Sequence, residues 1–280
     1  MRLVTVATPD GATTAAVRAD GELRALAAED GVRYPDIGAL LRSGADLHST
    51  AARAEPLGGE PRLLRPVLAP AATVCVGVNY RAHMREMGRE LPTSPTLFAK
   101  LAQALTDPTS EVVLPAASTQ VDYEGELVVV IGRGGRNIPP AGALGFVAGV
   151  TLMNDVSMRD FQYRSLQWFA GKSWRASTPV GPELVTLDEL QNLGERELTT
   201  TVNGEVRQRA TIGDLVFDIP ALVADISQII ELQPGDLIAT GTPGGVGHAM
   251  KPPRYLQPGD VVEVALEGVD TLRTTFTAEA

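Results

Sequence analysis

Two glutamates spaced one residue apart open an apolar run: Asp122-Tyr123-Glu124-Gly125-Glu126 leads into residues 127–131. Strand side chains alternate, so Glu124 and Glu126 point one way and Gly125 the other. Two carboxylates ~4 Å apart repel by ~4 kcal/mol at an effective dielectric of about 20, which invites a proton or a cation. The bland alternative is an exposed strand face. A third acid, Asp155, follows Asn154 at the end of the apolar run 147–153, where active-site groups of sheet enzymes collect. If Asp155 meets Glu124 and Glu126, three carboxylates form an oxygen-only site for a hard ion such as Mg²⁺ or Mn²⁺, with positions left for water or substrate. Zinc is disfavoured, because the chain has three histidines and one cysteine. Asp155 could equally cap a helix, and pattern alone does not bring the three acids together.

His83 lies in Asn79-Tyr80-Arg81-Ala82-His83-Met84-Arg85-Glu86. If that segment is helical, His83 and Glu86 share a face at i, i+3. A carboxylate there would orient the imidazole and raise its basicity, giving a dyad able to activate water; otherwise the two form a surface ion pair. Gly171-Lys172-Ser173 follows Trp168 and Phe169, a setting in which a lysine is partly buried and pairs with an anion. The loop Thr240-Gly241-Thr242-Pro243-Gly244-Gly245-Val246-Gly247 can present backbone N–H groups to a carboxylate, or be a tight turn with no ligand. It lacks the Gly-Lys-Ser/Thr ending of a phosphate loop, which argues against nucleotide binding.

The elements that must position these groups are mostly strands. Residues 74–78, 111–114, 127–131, 147–153, 198–202, 236–240 and 261–266 are expected strands, most of them rich in β-branched residues and bounded by Gly, Pro or Asn. Asn203-Gly204 marks a hairpin. One helix is well signalled: Asp218 as N-cap, Pro220 in the first turn, then Leu222, Val223, Ile226, Ile229 and Ile230 along one face. Four prolines between residues 55 and 72 read as a linker. Before it lie two strand signals, 3–7 and 15–26, and a short helix capped by Asp36. The expected fold is α+β and mainly β: a small N-terminal α/β domain, residues 1–65, followed by a mixed-sheet catalytic domain, residues 66–280.

At 280 residues, 44% hydrophobic, the chain can bury a substantial core. Its formal charge of −10 disfavours a nucleic-acid binder, since phosphate affinity needs clustered Lys and Arg. A single cysteine excludes an internal disulfide framework. No apolar run approaches the ~18 residues of a membrane span, and the expectation is a soluble, cytoplasmic protein with no nucleic-acid or membrane partner.

Together these segments resemble the fumarylacetoacetate hydrolase family. Gly77-Val78-Asn79-Tyr80 with His83 and Glu86, Asp122-Tyr123-Glu124-Gly125-Glu126-Leu127, Asn154-Asp155-Val156-Ser157 with Arg159-Asp160 and Gln162, Gly171-Lys172-Ser173, Ala239-Thr240-Gly241-Thr242-Pro243 and Pro258-Gly259-Asp260 stand in the family's order and approximate spacing. The resemblance covers roughly residues 70–275. It implies a mixed β-roll core, a homodimer, and Mg²⁺ or Mn²⁺ held by Glu124, Glu126 and Asp155. It further implies a lid-borne catalytic pair, His83 and Glu86, with Lys172, and substrate contacts from Arg159, Gln162 and Thr240. Where the family often has an aromatic residue and Asp after Gly-Lys-Ser, this chain has Trp174 and Arg175, a departure that bears on the substrate. The implied activity is hydrolysis of a C–C bond in an acylpyruvate-like 2-oxo acid, with His83 activating water and a pyruvate enolate as leaving group. Decarboxylation of oxaloacetate or isomerisation of an unsaturated 2-oxo acid on the same site are the alternatives, and a catalytically silent binding protein is the alternative of another class.

Overall fold

The computed structural model describes residues 1–86 and 90–279, with only the backbone of His83, Arg85 and Glu86. Among the described residues strands predominate, in sheets of twelve, five and two strands. Most neighbouring strands are antiparallel, but Leu237–Ala239 runs parallel to Thr73–Gly77, and Val269–Ala278 parallel to Val112–Leu114. The mixed, mainly β architecture is the expected one.

Gly125–Ile131 lies at the centre of the large sheet, every residue buried, between Val147–Asn154 and Leu237–Ala239. Its alternation divides the interior. Leu127, Val129 and Ile131 pack with Leu198, Val262, Val264, Leu272 and Phe276 of the five-stranded sheet. Val128 and Val130 face Leu3, Leu40, Met153 and Leu184 on the other side. Burying side chains of this size stabilises by about 1.5–3 kcal/mol each, so the strand is anchored from both of its faces. Gly125 points at the five-stranded sheet, and a Cβ there would stand 2.0 Å from Thr200 Oγ1. Only glycine lets the two sheets approach that closely at this point.

The first strand, Arg2–Ala7, pairs antiparallel with both Thr13–Ala19 and Thr178–Val185, in register Leu3↔Leu184. The N-terminal strands therefore extend the sheet that carries the central strand. Helix Ile37–Arg42 begins as expected at Asp36, whose carboxylate accepts from the Ala39 amide at 2.7 Å. Within the proline-rich stretch only Glu55–Pro56 and Arg62–Leu64 are extended. Helix Ile219–Ile229 has Asp218 as its cap, accepting from the Ala221 amide at 2.9 Å, and buries Leu222, Val223 and Ile226. Ile229, in its last turn, is exposed, so the buried stripe ends sooner than the pattern implied. No helix among the described residues is long and apolar enough to cross a membrane.

Candidate active site

Two paired strands deliver the acids, Gly125–Ile131 at its start and Val147–Asn154 just past its end. The register Gly125↔Asn154 sets Glu124 beside Asp155, and the Asp155 amide donates to the Glu124 carbonyl at 2.7 Å. Carboxylate oxygens of Glu124, Glu126 and Asp155 lie within 4.8 Å of one another, and all three residues are buried. The structure thus brings together the trio that sequence pattern alone left apart. The glycine-rich loop does present backbone donors to carboxylates, and they belong to the protein itself. The Gly241 amide donates to Glu126 Oε2 at 2.9 Å, and the amides of Gly247 and His248 donate to Asp122 at 2.8 and 3.0 Å.

Buried cations surround the acids. Lys172, expected to be partly buried, is almost wholly so, and its Nζ donates to Glu124 Oε2 and Asp155 Oδ2, each at 2.7 Å. Arg159 donates from Nε to Asp122 Oδ2 at 2.9 Å and from Nη1 to Gln162 Oε1 at 2.9 Å, with Nη1 also 2.7 Å from Glu124 Oε1. Lys100, fully buried, donates to Asp155 Oδ1. Neither Lys100 nor Asp122 was assigned a role from the sequence. Lys100 follows Thr96–Ala99, a half-exposed strand with no clear signal, and Asp122 belongs to the Glu-x-Glu motif but anchors Arg159 rather than joining the trio.

Among the described residues, four buried carboxylates (Asp122, Glu124, Glu126, Asp155) thus face three buried cations (Lys100, Arg159, Lys172), leaving one negative charge unmatched. The imbalance falls on Glu126. Burial first, then Asp155 and Glu124, push its carboxyl well above the usual carboxylate range, against the pull of Lys172. Burial also opposes ionisation of Asp155, but Lys100 and Lys172 together outweigh it and hold that carboxyl below its ordinary value. Desolvation likewise works against charge on Lys172, yet Asp155 and Glu124 keep its pKa above the ordinary lysine value. An oxygen-only pocket with one carboxylate driven to take up a proton is short of a cation, and its donors suit a hard divalent ion. The residues fit the metal that the resemblance implies.

A cavity of about 330 Å³ opens beside this cluster, with Glu124, Arg159, Gln162 and Lys172 in its lining. The short helices Arg159–Gln162 and Phe169–Lys172 meet at Gly171, where a Cβ would lie 2.5 Å from Gln162 Cβ and 2.7 Å from its Cα. That backbone-close contact places Gln162 and Lys172 on one wall. Phe98, Tyr163, Trp168 and the His248 ring supply its aromatic surface. Trp174 packs instead on Phe161, with ring centroids 4.8 Å apart, and Arg175 is exposed, so the expected family departure lies off the cavity wall. Thr240 is fully buried, its hydroxyl donating to the Leu127 carbonyl at 3.0 Å; Thr242 lines the cavity. The backbone of Arg81–Glu86 is helical, as the His83/Glu86 spacing required, but the side chains of His83 and Glu86 lie outside the described residues.

Residues 72–277 match the model of the fumarylacetoacetate (FAA) hydrolase C-terminal family. Human oxaloacetate tautomerase FAHD2A, mitochondrial, is 43% identical over 210 residues, 74% of this chain and 67% of that one. The fumarylacetoacetate hydrolase from psychrophilic Exiguobacterium antarcticum superposes over the full length of both chains with a TM-score of 0.87 at 34% identity. The 2-hydroxyhepta-2,4-diene-1,7-dioate isomerase from Mycobacterium marinum does so with a TM-score of 0.78, also at 34% identity, covering 100% of this chain and 99% of that one. A tautomerase, a hydrolase and an isomerase share this scaffold with the present chain, which belongs to the fumarylacetoacetate hydrolase family.

Proposed function

We propose that this protein is a divalent-metal-dependent enzyme that binds a 2-oxo acid and stabilises its enolate. The observation that carries this reading is the charge imbalance of the buried cluster, four acids against three bases. A divalent ion, Mg²⁺ or Mn²⁺, would make the site net positive by one, the sign that a carboxylate-bearing substrate requires. Held by Glu124, Glu126 and Asp155, it would supply Lewis-acid polarisation of the 2-oxo group.

The chain's own residues do the rest. Lys172 stays protonated between Glu124 and Asp155 and offers fixed positive charge where an enolate oxygen develops. Arg159 donates to Gln162 Oε1, which fixes the orientation of that amide and leaves its NH₂ to bind a substrate oxygen in the cavity. Phe98 and Trp168 exclude water from the same space, and the low dielectric strengthens these interactions.

Loss of the enol O–H proton to solvent and return of a proton to C3 is tautomerisation, and its return to C5 of an extended 2,4-dienolate is isomerisation; a tautomerase and a dienedioate isomerase are the activities named for the human and M. marinum relatives. The described residues support this reading most directly, since it needs no activated water. Hydrolysis of an acylpyruvate-like substrate is the second reading, supported by the helix Arg81–Glu86 that carries His83 and Glu86. In that case His83 takes a proton from water, hydroxide adds to the distal carbonyl, and the C–C electron pair leaves as the enolate, which is then protonated. Decarboxylation of oxaloacetate would pass through the same enolate. The protein is incubated with oxaloacetate and with an acylpyruvate, with Mg²⁺ or Mn²⁺, while enol absorbance, pyruvate and carbon dioxide are followed. Accelerated enol–keto exchange, abolished by EDTA and restored by either ion, is expected. Turnover that survives complete metal removal, or no effect on any 2-oxo acid, overturns the reading. Homodimer assembly belongs to the same proposal and is checked by sedimentation.

A further inference from the structure

His248 also lines the cavity, and neither the metal cluster nor the enolate chemistry uses it. Its backbone amide is tied to Asp122, and only through Asp122 and Arg159 is it joined to Glu124. The imidazole shares the cavity lining with Glu124, but among the described residues it makes no hydrogen bond to Glu124, Glu126 or Asp155. Its ring lies against Tyr163, centroids 5.1 Å apart, and its Nδ1 is 2.9 Å from Tyr255 Oη.

That contact couples the tautomer of His248 to the Tyr255 hydroxyl. Tyr255 has one hydroxyl proton and two acceptors in range: His248 Nδ1 at 2.9 Å and Gln120 Oε1 at 3.4 Å. The second distance is long for an O–H···O bond, so the shorter contact is the better place for the phenol's proton, with Nδ1 as its acceptor. A neutral imidazole accepting at Nδ1 carries its hydrogen on Nε2. Burial first, and then Arg159, hold the ring's pKa below its ordinary value against Asp122, while burial keeps the Tyr255 phenol protonated. Nε2 makes no hydrogen bond among the described residues, and the cavity that His248 lines holds both polar groups, Glu124 and Gln162, and apolar ones, Val78, Trp168 and Val246. His248 is half-buried, so this donor meets solvent until a ligand acceptor takes the water's place, and a ligand without such an acceptor gains nothing from it.

We infer that His248, its tautomer set by Tyr255, is a specificity-determining residue whose Nε2–H receives an oxygen acceptor, a carboxylate or an acyl carbonyl, on the part of the substrate remote from the acidic trio. The inference rests on the proposed 2-oxo acid chemistry and assigns within it the residue that reads the far end of the substrate.

The test uses the Mg²⁺-loaded protein and calorimetry with three ligands: oxalate, which reaches only the trio; 2-oxoglutarate, with a distal carboxylate; and 2-oxopentanoate, with an alkyl end. His248→Phe, which keeps a ring against Tyr163, is expected to weaken 2-oxoglutarate by about 10- to 100-fold, the effect of losing a hydrogen bond to a charged group, and to leave oxalate and 2-oxopentanoate unchanged. An acylpyruvate run in parallel separates a carbonyl acceptor from a carboxylate. Equal loss for all ligands, or no loss for any, overturns the inference. If oxalate fails to bind the parent protein, it is the 2-oxo acid reading that falls. ¹⁵N NMR of the histidine ring then decides the tautomer without a ligand: hydrogen on Nε2, moving toward Nδ1 in Tyr255→Phe, supports the assignment, and hydrogen on Nδ1 in the parent protein refutes it.

Discussion

Lys100 and Glu126 are the residues at which stability and metal binding pull in different directions. Removing Lys100 leaves Asp155 with one buried cation in place of two, and breaking such a pair costs about 3–5 kcal/mol. It also deepens the local negative charge, which a divalent ion would relieve. Lys100→Met is therefore expected to lower the melting temperature sharply in EDTA and much less with Mn²⁺ present, as calorimetric scans in the two buffers would show. Glu126→Gln has the opposite character, because burial and two neighbouring carboxylates already disfavour its charge. The metal-free variant should be at least as stable as the parent, while its affinity for Mn²⁺ falls by about 100-fold or more, read by titration.

Among the elements, the two short helices around the cavity are the most sensitive to a single atom. Gly171→Ala would force the backbone of Phe169–Lys172 away from Gln162, at about 1–3 kcal/mol in stability. Because Lys172 and Gln162 share that contact, the catalytic efficiency should drop by more than the unfolding midpoint suggests; comparing turnover with urea denaturation checks it. Asp218→Ala, by contrast, should cost about 1 kcal/mol and leave turnover alone, since the helix it caps contributes no residue to the cavity wall. The same contrast explains what could be read in advance. Gly125–Ile131 and Val147–Asn154 are apolar runs with clear ends, and the acids at those ends were legible as candidates. Thr178–Val185 was not recognised as a strand: Pro179, Gly181 and Pro182 are turn residues, yet all eight positions are buried in the large sheet. Tertiary packing overrode the local signal there. Lys100 was hidden for a related reason, as its role arises from Thr73–Gly77 pairing with both Thr96–Ala99 and Leu237–Ala239, which no short-range pattern encodes.

At the scale of the whole molecule, Glu183 links distant parts of the chain. Its buried carboxylate meets Arg2 of the first strand and accepts from the Asp270 amide at 2.9 Å. Burial is the largest influence and raises its folded-state pKa above 4.5, against the Asp270 amide and Arg2. Between 4.5 and that raised value the folded chain keeps a proton that the unfolded chain has released, so this group's contribution to stability declines as pH rises through the window and is level above it. Glu183→Gln removes the decline. Urea midpoints of parent and variant should diverge in the variant's favour as pH climbs from 4.5, and a constant difference would contradict the assignment. The pairing of Leu3 with Leu184 has a consequence during synthesis as well. In a nascent chain Arg2–Ala7 emerges ahead of its distant mate, which leaves the ribosome only after residues 8–177 have been made. Until then the edge meant for Thr178–Val185 presents unpaired backbone groups beside apolar Leu3, Val4 and Val6. Prematurely terminated translation products ending ahead of Thr178 should thus be prone to aggregate and depend on chaperones, whatever catalytic groups they already contain.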